Sequence, residues 1–474
     1  MSIDLNTKIL LVEDSKIALK MEHRALQALG YNNVLLATDG TPAIEILQRE
    51  TDIGLIISDW NMPGTSGFEL LVWVRQNEAT KDIPFIMATA RGERKQVDAA
   101  SDAGVSNFIT KPFGPPDLKQ IIEETFGKPD GSAMKKEVVP CVPKMASANK
   151  VILNIAHIQI TDHLTLGVLK ELINTGKLSP KHFELKTQCL TSWNALQGAL
   201  EQGKVEGAFA LAPITMDLYS AGVPLKLVLF AHRNGSTAVM SKVDPGKPLA
   251  DAFLGKTFYI PYQLSIHHML AHKFLTNLGL VPGFKGVSPD INVYFEVVPP
   301  VKMPELMAGN PDACGFLVAE PMGTKAVAEG SADELFLSGD MWENHPCCVV
   351  AMRDEVIDKH PEAVQEFTEM LVAAGKFITN NTTKAAEIAV DFLDPQGALG
   401  LKVAVLKNVL QEQQGIKTDN LYPAAEDLDI IQNYMIDKMG VGTKIDVTKF
   451  VDTRFAETAC SGASRSRSKL HYTS

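Results

Sequence analysis

Five short, mostly apolar runs, Ile9–Val12, Val34–Ala37, Leu55–Ile57, Phe85–Ala88 and Asn107–Ile109, alternate with amphipathic stretches over the first quarter of the chain. Runs this short suit buried strands, and strands separated by helical stretches pair in parallel because a crossover helix carries the chain back. Between the first two runs, Ala18, Met21, Ala25, Leu26 and Leu29 fall on one helical stripe that Gly30 closes. Leu118, Ile121, Ile122 and Phe126 form a final helix ending at Gly127. The pattern predicts an α/β unit over residues 1–127, a parallel sheet with helices on both faces.

Open parallel sheets build their sites at the carboxyl ends of the strands. Glu13 and Asp14 follow the first run, Asp59 the third, Thr89 the fourth and Lys111 the fifth. Three carboxylates in one crevice repel one another unless a cation joins them, and hard oxygen donors suit Mg2+. A hydroxyl and an ammonium across the crevice would hold phosphoryl oxygens.

The order of these residues resembles the receiver domain of two-component response regulators, in particular the stand-alone chemotaxis type. The matching segments are Val12-Glu13-Asp14, Ser58-Asp59-Trp60-Asn61-Met62-Pro63, Ala88-Thr89-Ala90 and Phe108-Ile109-Thr110-Lys111-Pro112-Phe113. The resemblance implies a flavodoxin-like (βα)5 fold with Asp59 as phosphoacceptor. It further implies Glu13, Asp14, Asp59 and the backbone carbonyl of Asn61 as Mg2+ ligands. Thr89 and Lys111 would bind the phosphoryl group, and Phe108 would be the aromatic switch. The implied partner is a sensor histidine kinase or phosphotransfer protein.

The remaining length calls for more than one further layer of structure, since 474 residues exceed one ordinary core. Residues 128–149, rich in Pro, Ser, Lys and Ala without periodicity, read as a linker, and residues 456–474 as a disordered tail. Between them, 150–455 reads as a second α/β region. One of its helices is marked by Val364, Phe367, Met370, Leu371, Ala374 and Phe377 behind Pro361. The net charge of −11 argues against a general nucleic-acid binder, and residues 1–127 alone carry 12 basic and 18 acidic side chains. No apolar run is long enough to span a bilayer, and residues 1–10 lack the pattern of a signal peptide. These features, with six cysteines in no framework spacing, lead us to expect a cytoplasmic protein with reduced thiols and no membrane partner.

Catalytic spacing is not evident in the second region. Gly255-Lys256-Thr257 lacks the earlier glycine of a phosphate loop, since Ala250 stands there. His267, His268 and His272 lack the Glu of a zinc protease and are expected to be packed or solvated. Cys347-Cys348 is expected to serve as a pair of small buried apolar residues.

Ordered segments of this region resemble periplasmic-type substrate-binding proteins of the nitrate, bicarbonate, sulfonate and thiamine-precursor group. They include Ile158–His163, Thr191–Asn194, Gly203–Ala208, Ala212-Pro213, His232–Gly235, Ala308–Ala313, Phe316–Pro321 and Trp342–Pro346. The resemblance implies two α/β lobes closing on a ligand, with 150–240 and 345–455 in one lobe and 250–335 in the other. Candidate ligand contacts are Thr161, Asp162, His163, Trp193, Pro213, Asn234, Gln263 and Glu320, with Thr191-Ser192 starting a helix. Ile260–His267 departs from a nitrate binder in lacking a glycine-rich turn, so the ligand is expected to be a small anionic or polar molecule of open identity. Together the regions read as a phosphorylatable regulator with a small-molecule sensor and a downstream protein partner. The alternatives are a receiver-gated metabolic enzyme of the thiamine-precursor type, and a docking module without ligand.

Overall fold

The computed structural model describes residues 4–89, 100–101, 103–111, 113–126, 140–147, 149–190, 192–242, 246, 248–285, 287–461 and 469–470. Ala90, Pro112, Gly127, Thr191, most of the expected linker and much of the tail lie outside the described residues. The chain divides into two units, one of Met1–Glu137 with Gly283–Ile291 and one of Val138–Pro282 with Asn292–Ser474.

In the first unit, strands β1 (Lys8–Val12), β2 (Val34–Ala37), β3 (Ile53–Asp59), β4 (Phe85–Thr89) and β5 (Asn107–Thr110) form one sheet in the order β2-β1-β3-β4-β5. All pairings are parallel. Side chains alternate across a strand, so each strand feeds two cores. Leu10, Val12, Ile56, Phe85 and Met87 enter one core with Leu47, Leu70 and Val74. Ile9, Leu11, Leu55, Ile57 and Ile86 enter the other with Leu26, Leu118 and Ile122. This is why the strands read as unbroken apolar runs. The helix Lys16–Ala28 is capped by the Ser15 side chain, and Gly67–Gln76 by a reciprocal Ser66–Glu69 box. The strand order reverses direction between β1 and β3, which opens a crevice at their carboxyl ends.

The second unit holds two six-stranded mixed sheets. One contains Met145–Ser147, Lys150–His157, Phe183–Cys189, Gly207–Leu211, Leu225–Phe230 and Cys348–Arg353. The other contains Ser236–Met240, Thr257–Ile260, Pro282–Phe284, Val293–Val297, Ala313–Ala319 and Asp333–Leu337. The chain crosses between sheets at residues 231–235 and returns at 338–347. Ser236–Met240 thus belongs to the second lobe, because it pairs with Ala313–Ala319 and Asp333–Leu337, and the first lobe ends earlier than the expected residue 240. The helix Pro361–Asn380 buries Val364, Phe367, Leu371 and Ala374, as its stripe requires.

Two boundaries also differ from expectation. Met145–Ser147, inside the segment read as a linker, adds an antiparallel edge strand to Lys150–His157, and Cys141 is buried. At the other end, the helix Arg454–Ala459 buries Phe455 and Ala456, and Lys469–Leu470 pairs with Trp342–Glu343. Backbone pairing of this kind needs no apolar signature, so polar composition concealed both. Among the described residues no helix is long and apolar enough to cross a membrane.

Candidate functional sites

The crevice of the first unit brings together the predicted acidic residues. Oxygens of Glu13, Asp14 and Asp59 lie within 4.8 Å of one another. The β1 and β3 register sets this arrangement: Val12 lies opposite Ser58, so the next residues of both strands emerge side by side. Lys111 enters from the end of β5, where its N–H donates to the Thr89 carbonyl at 2.9 Å. Its ammonium hydrogen-bonds Glu13 and stands 3.0 Å from Asp59 Oδ1 and 3.9 Å from Glu22. Asp59 Oδ1 also accepts the Trp60 N–H at 2.8 Å. Glu13 and Thr89 are buried, while the Asp59 side chain keeps 13% exposure, enough to meet an incoming group.

Gly67 explains how the Asp59 loop is held. Its N–H donates to the Trp60 carbonyl, and a Cβ there would lie 1.9 Å from the Asp59 carbonyl oxygen. Only a residue without a side chain lets the helix start this close to the site.

The electrostatics are those of crowded carboxylates. Burial pushes the Glu13 carboxyl well up, and burial with the neighbouring Asp59 raises Asp14. Burial moves Glu22 to about 7. Burial alone would lower the Lys111 ammonium, but Asp59, Glu13 and Glu22 hold it well above the ordinary lysine range. The ammonium thus occupies the place of a cation among acids, and the oxygen-only donor set fits a hard divalent ion. Glu22 was not singled out from the sequence. The available signal was its position: it shares the helical stripe of Ala18, Ala25 and Leu26, whose last two residues are buried, and there an unpaired acid is costly. Phe108 is half-buried against the core of Leu10, Ile56 and Met87.

In the second unit, the candidate residues separate into groups. Thr161 and Glu320 hold each other: the Glu320 carbonyl accepts from the Thr161 N–H at 3.0 Å and from its hydroxyl at 2.7 Å. The Glu320 carboxylate is occupied as well. It accepts from the Thr237 hydroxyl, from the Thr324 hydroxyl at 2.8 Å and from the Thr324 N–H at 3.1 Å. Pro213 lines a small cavity with Asp217, Leu264, Ile431 and Met435.

The rest form a buried polar interior. Asp162 Oδ2 stands 3.1 Å from His232 Nε2. His163 meets Trp193 edge-on at 5.9 Å, and the Tyr262 hydroxyl lies 2.7 Å from Asn194 Oδ1 and 3.0 Å from Gln197 Oε1. His267 Nε2 lies 3.0 Å from Ser236 Oγ, and His268 Nδ1 lies 2.8 Å from the Gln263 carbonyl. Several polar atoms here are buried without a hydrogen-bond partner among the described residues: Asp162 Oδ1, His163 Nε2, Trp193 Nε1, Gln197 Nε2, Asn234 Oδ1, Gln263 Oε1 and His267 Nδ1. Such groups are rare in folded proteins because each costs roughly 1–3 kcal/mol. Burial lowers His163 to about 3 and His267 to about 4, so both are neutral imidazoles. His232 is the exception: burial would lower it, but Asp162 raises it to about 10. The sequence did not mark His232, His267 or Gln197 as site residues; only long-range packing brings them together.

Asn234 occupies a special backbone position in the crossing segment. Its φ is 55°, followed by Gly235 at 94°, and two successive left-handed residues turn the chain from one sheet into the other. Arg233 anchors that turn, donating to the carbonyls of Asn344, Asn420 and Tyr422 and to Asp427 at 3.1 Å.

Comparison with known proteins agrees with this division. Residues 9–123 match the model of the response regulator receiver domain, and residues 146–391 match that of the NMT1-like family. A chemotaxis protein CheY homolog of Campylobacter jejuni is 39% identical over 124 residues, covering 26% of this chain and 95% of the relative. The periplasmic nitrate-binding protein NrtA of Synechocystis PCC 6803 superposes with a TM-score of 0.57 at 18% identity, over 68% of this chain and 90% of that one. A ligand-binding component of an ABC-type import system from Staphylococcus aureus, solved with zinc bound, gives 0.55 at 20% identity, over 66% and 99%. The first unit is a response regulator receiver domain, and the chain belongs to the NMT1-like family. Its second unit has the two-lobed fold of periplasmic binding proteins.

Proposed function

We propose that this chain is a phosphorelay response regulator in which Asp59 accepts a phosphoryl group and the two-lobed domain binds a small polar or anionic ligand. The observation that carries the first half is the convergence of Glu13, Asp14 and Asp59 on one point beside Lys111. The Asp59 carboxylate attacks phosphorus of a phosphohistidine or small phosphodonor. The P–N or P–O bond of the donor breaks as the P–O bond to Asp59 forms, and the leaving group takes up a proton. Glu13, Asp14, Asp59 and the Asn61 carbonyl would hold Mg2+, which supplies charge neutralisation in the transferring group. Lys111 and the Thr89 hydroxyl hold the phosphoryl oxygens. The added charge of about −1.5 to −2 draws Thr89 inward, and Phe108 follows into the space it leaves.

The ligand reading rests on the unpartnered polar atoms of His163, Trp193, Gln197, Asn234, Gln263 and His267. Neutral donors and acceptors of this kind suit a compact ligand held by hydrogen bonds, in line with the nitrate and import-system binding proteins that share the fold. Thr161 and Glu320 act in this reading as a latch between lobes. The implied setting is the cytoplasm, with a histidine kinase or phosphotransfer protein upstream and another protein downstream. If ligand and phosphoryl group bias the same conformational equilibrium, their effects on each other are reciprocal.

A thermal-shift panel of nitrate, nitrite, bicarbonate, sulfonates and pyrimidines tests the second half. A ligand at a hundred times its Kd stabilises the folded state by about 2.7 kcal/mol, a shift of several degrees. Silence across the panel, with the Thr161 latch intact, contradicts a sensor of this chemistry.

A further inference from the structure

The interior of the second unit contains a constellation that a ligand for the cleft does not account for. Asp162 Oδ2 lies 3.5 Å from the Sγ of Cys347 and 3.5 Å from the Sγ of Cys348, as well as 3.1 Å from His232 Nε2. All four atoms lie within 4.8 Å of one another, and all four residues are buried. Both cysteines are buried, as the sequence predicts, but their thiols also face a carboxylate rather than only apolar neighbours. Cys347 precedes the strand Cys348–Arg353, and this turn into the strand lets both thiols meet one carboxylate.

The distances have a simple interpretation. Four donors placed tetrahedrally at 2.0–2.3 Å from one ion stand about 3.3–3.8 Å apart, close to the 3.1 and 3.5 Å separations around Asp162 here. We infer that Asp162, His232, Cys347 and Cys348 form a closed tetrahedral binding site for a thiolate-preferring divalent ion, with zinc as the ion of first choice. Two thiolates and an imidazole favour zinc over magnesium or calcium, and four protein ligands leave no position for substrate, so the site is structural.

Its placement supports that role. Asp162 follows Lys150–His157, His232 follows Leu225–Phe230, and Cys347-Cys348 opens the antiparallel partner of the latter, so one end of one sheet collects all four ligands. Two of the four, His232 and Cys347, lie in the segments where the chain crosses between lobes. On binding, the thiols of Cys347 and Cys348 and the Nε2 of His232 release their protons to solvent, and no electron transfer is involved. The inference does not depend on the cleft binding an anion, since a metal that pins the crossing segments is compatible with either outcome of the ligand panel.

The test is the metal content of the full chain, purified under reducing conditions and measured by elemental mass spectrometry. We expect one zinc per chain, retained in Asp59→Asn, which removes a ligand from the acidic crevice of the receiver. The Cys347→Ser/Cys348→Ser double variant should lose zinc by at least ~10-fold, while Cys314→Ser, a buried cysteine outside the cluster, should keep it. Because the double variant risks misfolding, the wild-type chain is also loaded with Co2+ after zinc removal. A thiolate-to-cobalt charge-transfer band of a tetrahedral site supports the assignment. Absence of both zinc and that band, zinc that survives the double substitution, or a disulfide between Cys347 and Cys348 in the reduced preparation overturns it.

Discussion

Replacing Lys111 by Met isolates the role of one charge, because the two side chains have similar length and the ammonium alone is lost. At 3.0 Å from Asp59 and 3.9 Å from Glu22, the ammonium gains about 5.5 and 4.3 kcal/mol of attraction at an effective dielectric of ~20. Most of this is returned as hydration in the unfolded chain, and removing one partner of a buried pair costs about 3 kcal/mol net. The receiver should therefore unfold at lower urea in EDTA, read by the fluorescence of Trp60, which adjoins Asp59 and is buried against Phe68. Mg2+ should then act in the opposite sense. With no ammonium among the carboxylates, the divalent ion meets uncompensated negative charge, and its affinity should rise about tenfold, or 1.4 kcal/mol. Equal stability in EDTA together with unchanged Mg2+ affinity would refute the claim that Lys111 neutralises this cluster.

Three further outcomes follow from particular contacts. Gly67→Ala places a Cβ against the Asp59 carbonyl, so it should destabilise the receiver by about 1–3 kcal/mol and weaken Mg2+ binding, measured by Trp60 titration. Thr161→Val removes the hydroxyl bond to Glu320 and should cost about 1 kcal/mol, with faster hydrogen exchange at the Thr161 amide; unchanged exchange would argue against a latch. His157, lowered to about 4, and His268, lowered to about 3, are neutral when folded. The unfolded chain takes up their protons below about pH 6.5, so stability is lost as pH falls from 6.5 towards 4. These two contribute about 2.7 kcal/mol per pH unit there, and a flat urea midpoint across that window would contradict the burial argument.

The receiver was largely legible in the sequence because its information is local. The runs of β1, β3 and β4 are buried on both faces, and each candidate residue directly follows such a run, so the strand order alone brings Glu13, Asp14, Asp59, Thr89 and Lys111 to one end of the sheet. Glu22 escaped because a single acid on an apolar helical stripe looks like an exception until Lys111 is placed beside it. The second unit was legible as a fold but not as a site. Thr161 and Glu320 are 159 positions apart, and the two candidate ligand contacts are bonded to each other. Its lobe boundary fell at Ser236 because sheet membership depends on which strand lies alongside, which periodicity does not report. The convergence of Cys347, Cys348 and Asp162 was hidden because Cys347 lies just before the strand Cys348–Arg353 and Asp162 is 185 positions away.

The central claim, that Asp59 is the phosphoacceptor of a working receiver, is tested most directly by intact-mass spectrometry of the full chain after incubation with acetyl phosphate and Mg2+. The account predicts a single phosphoryl adduct on the wild-type chain, absent without Mg2+ and absent in Asp59→Asn. An adduct that persists at the wild-type level in Asp59→Asn would contradict it.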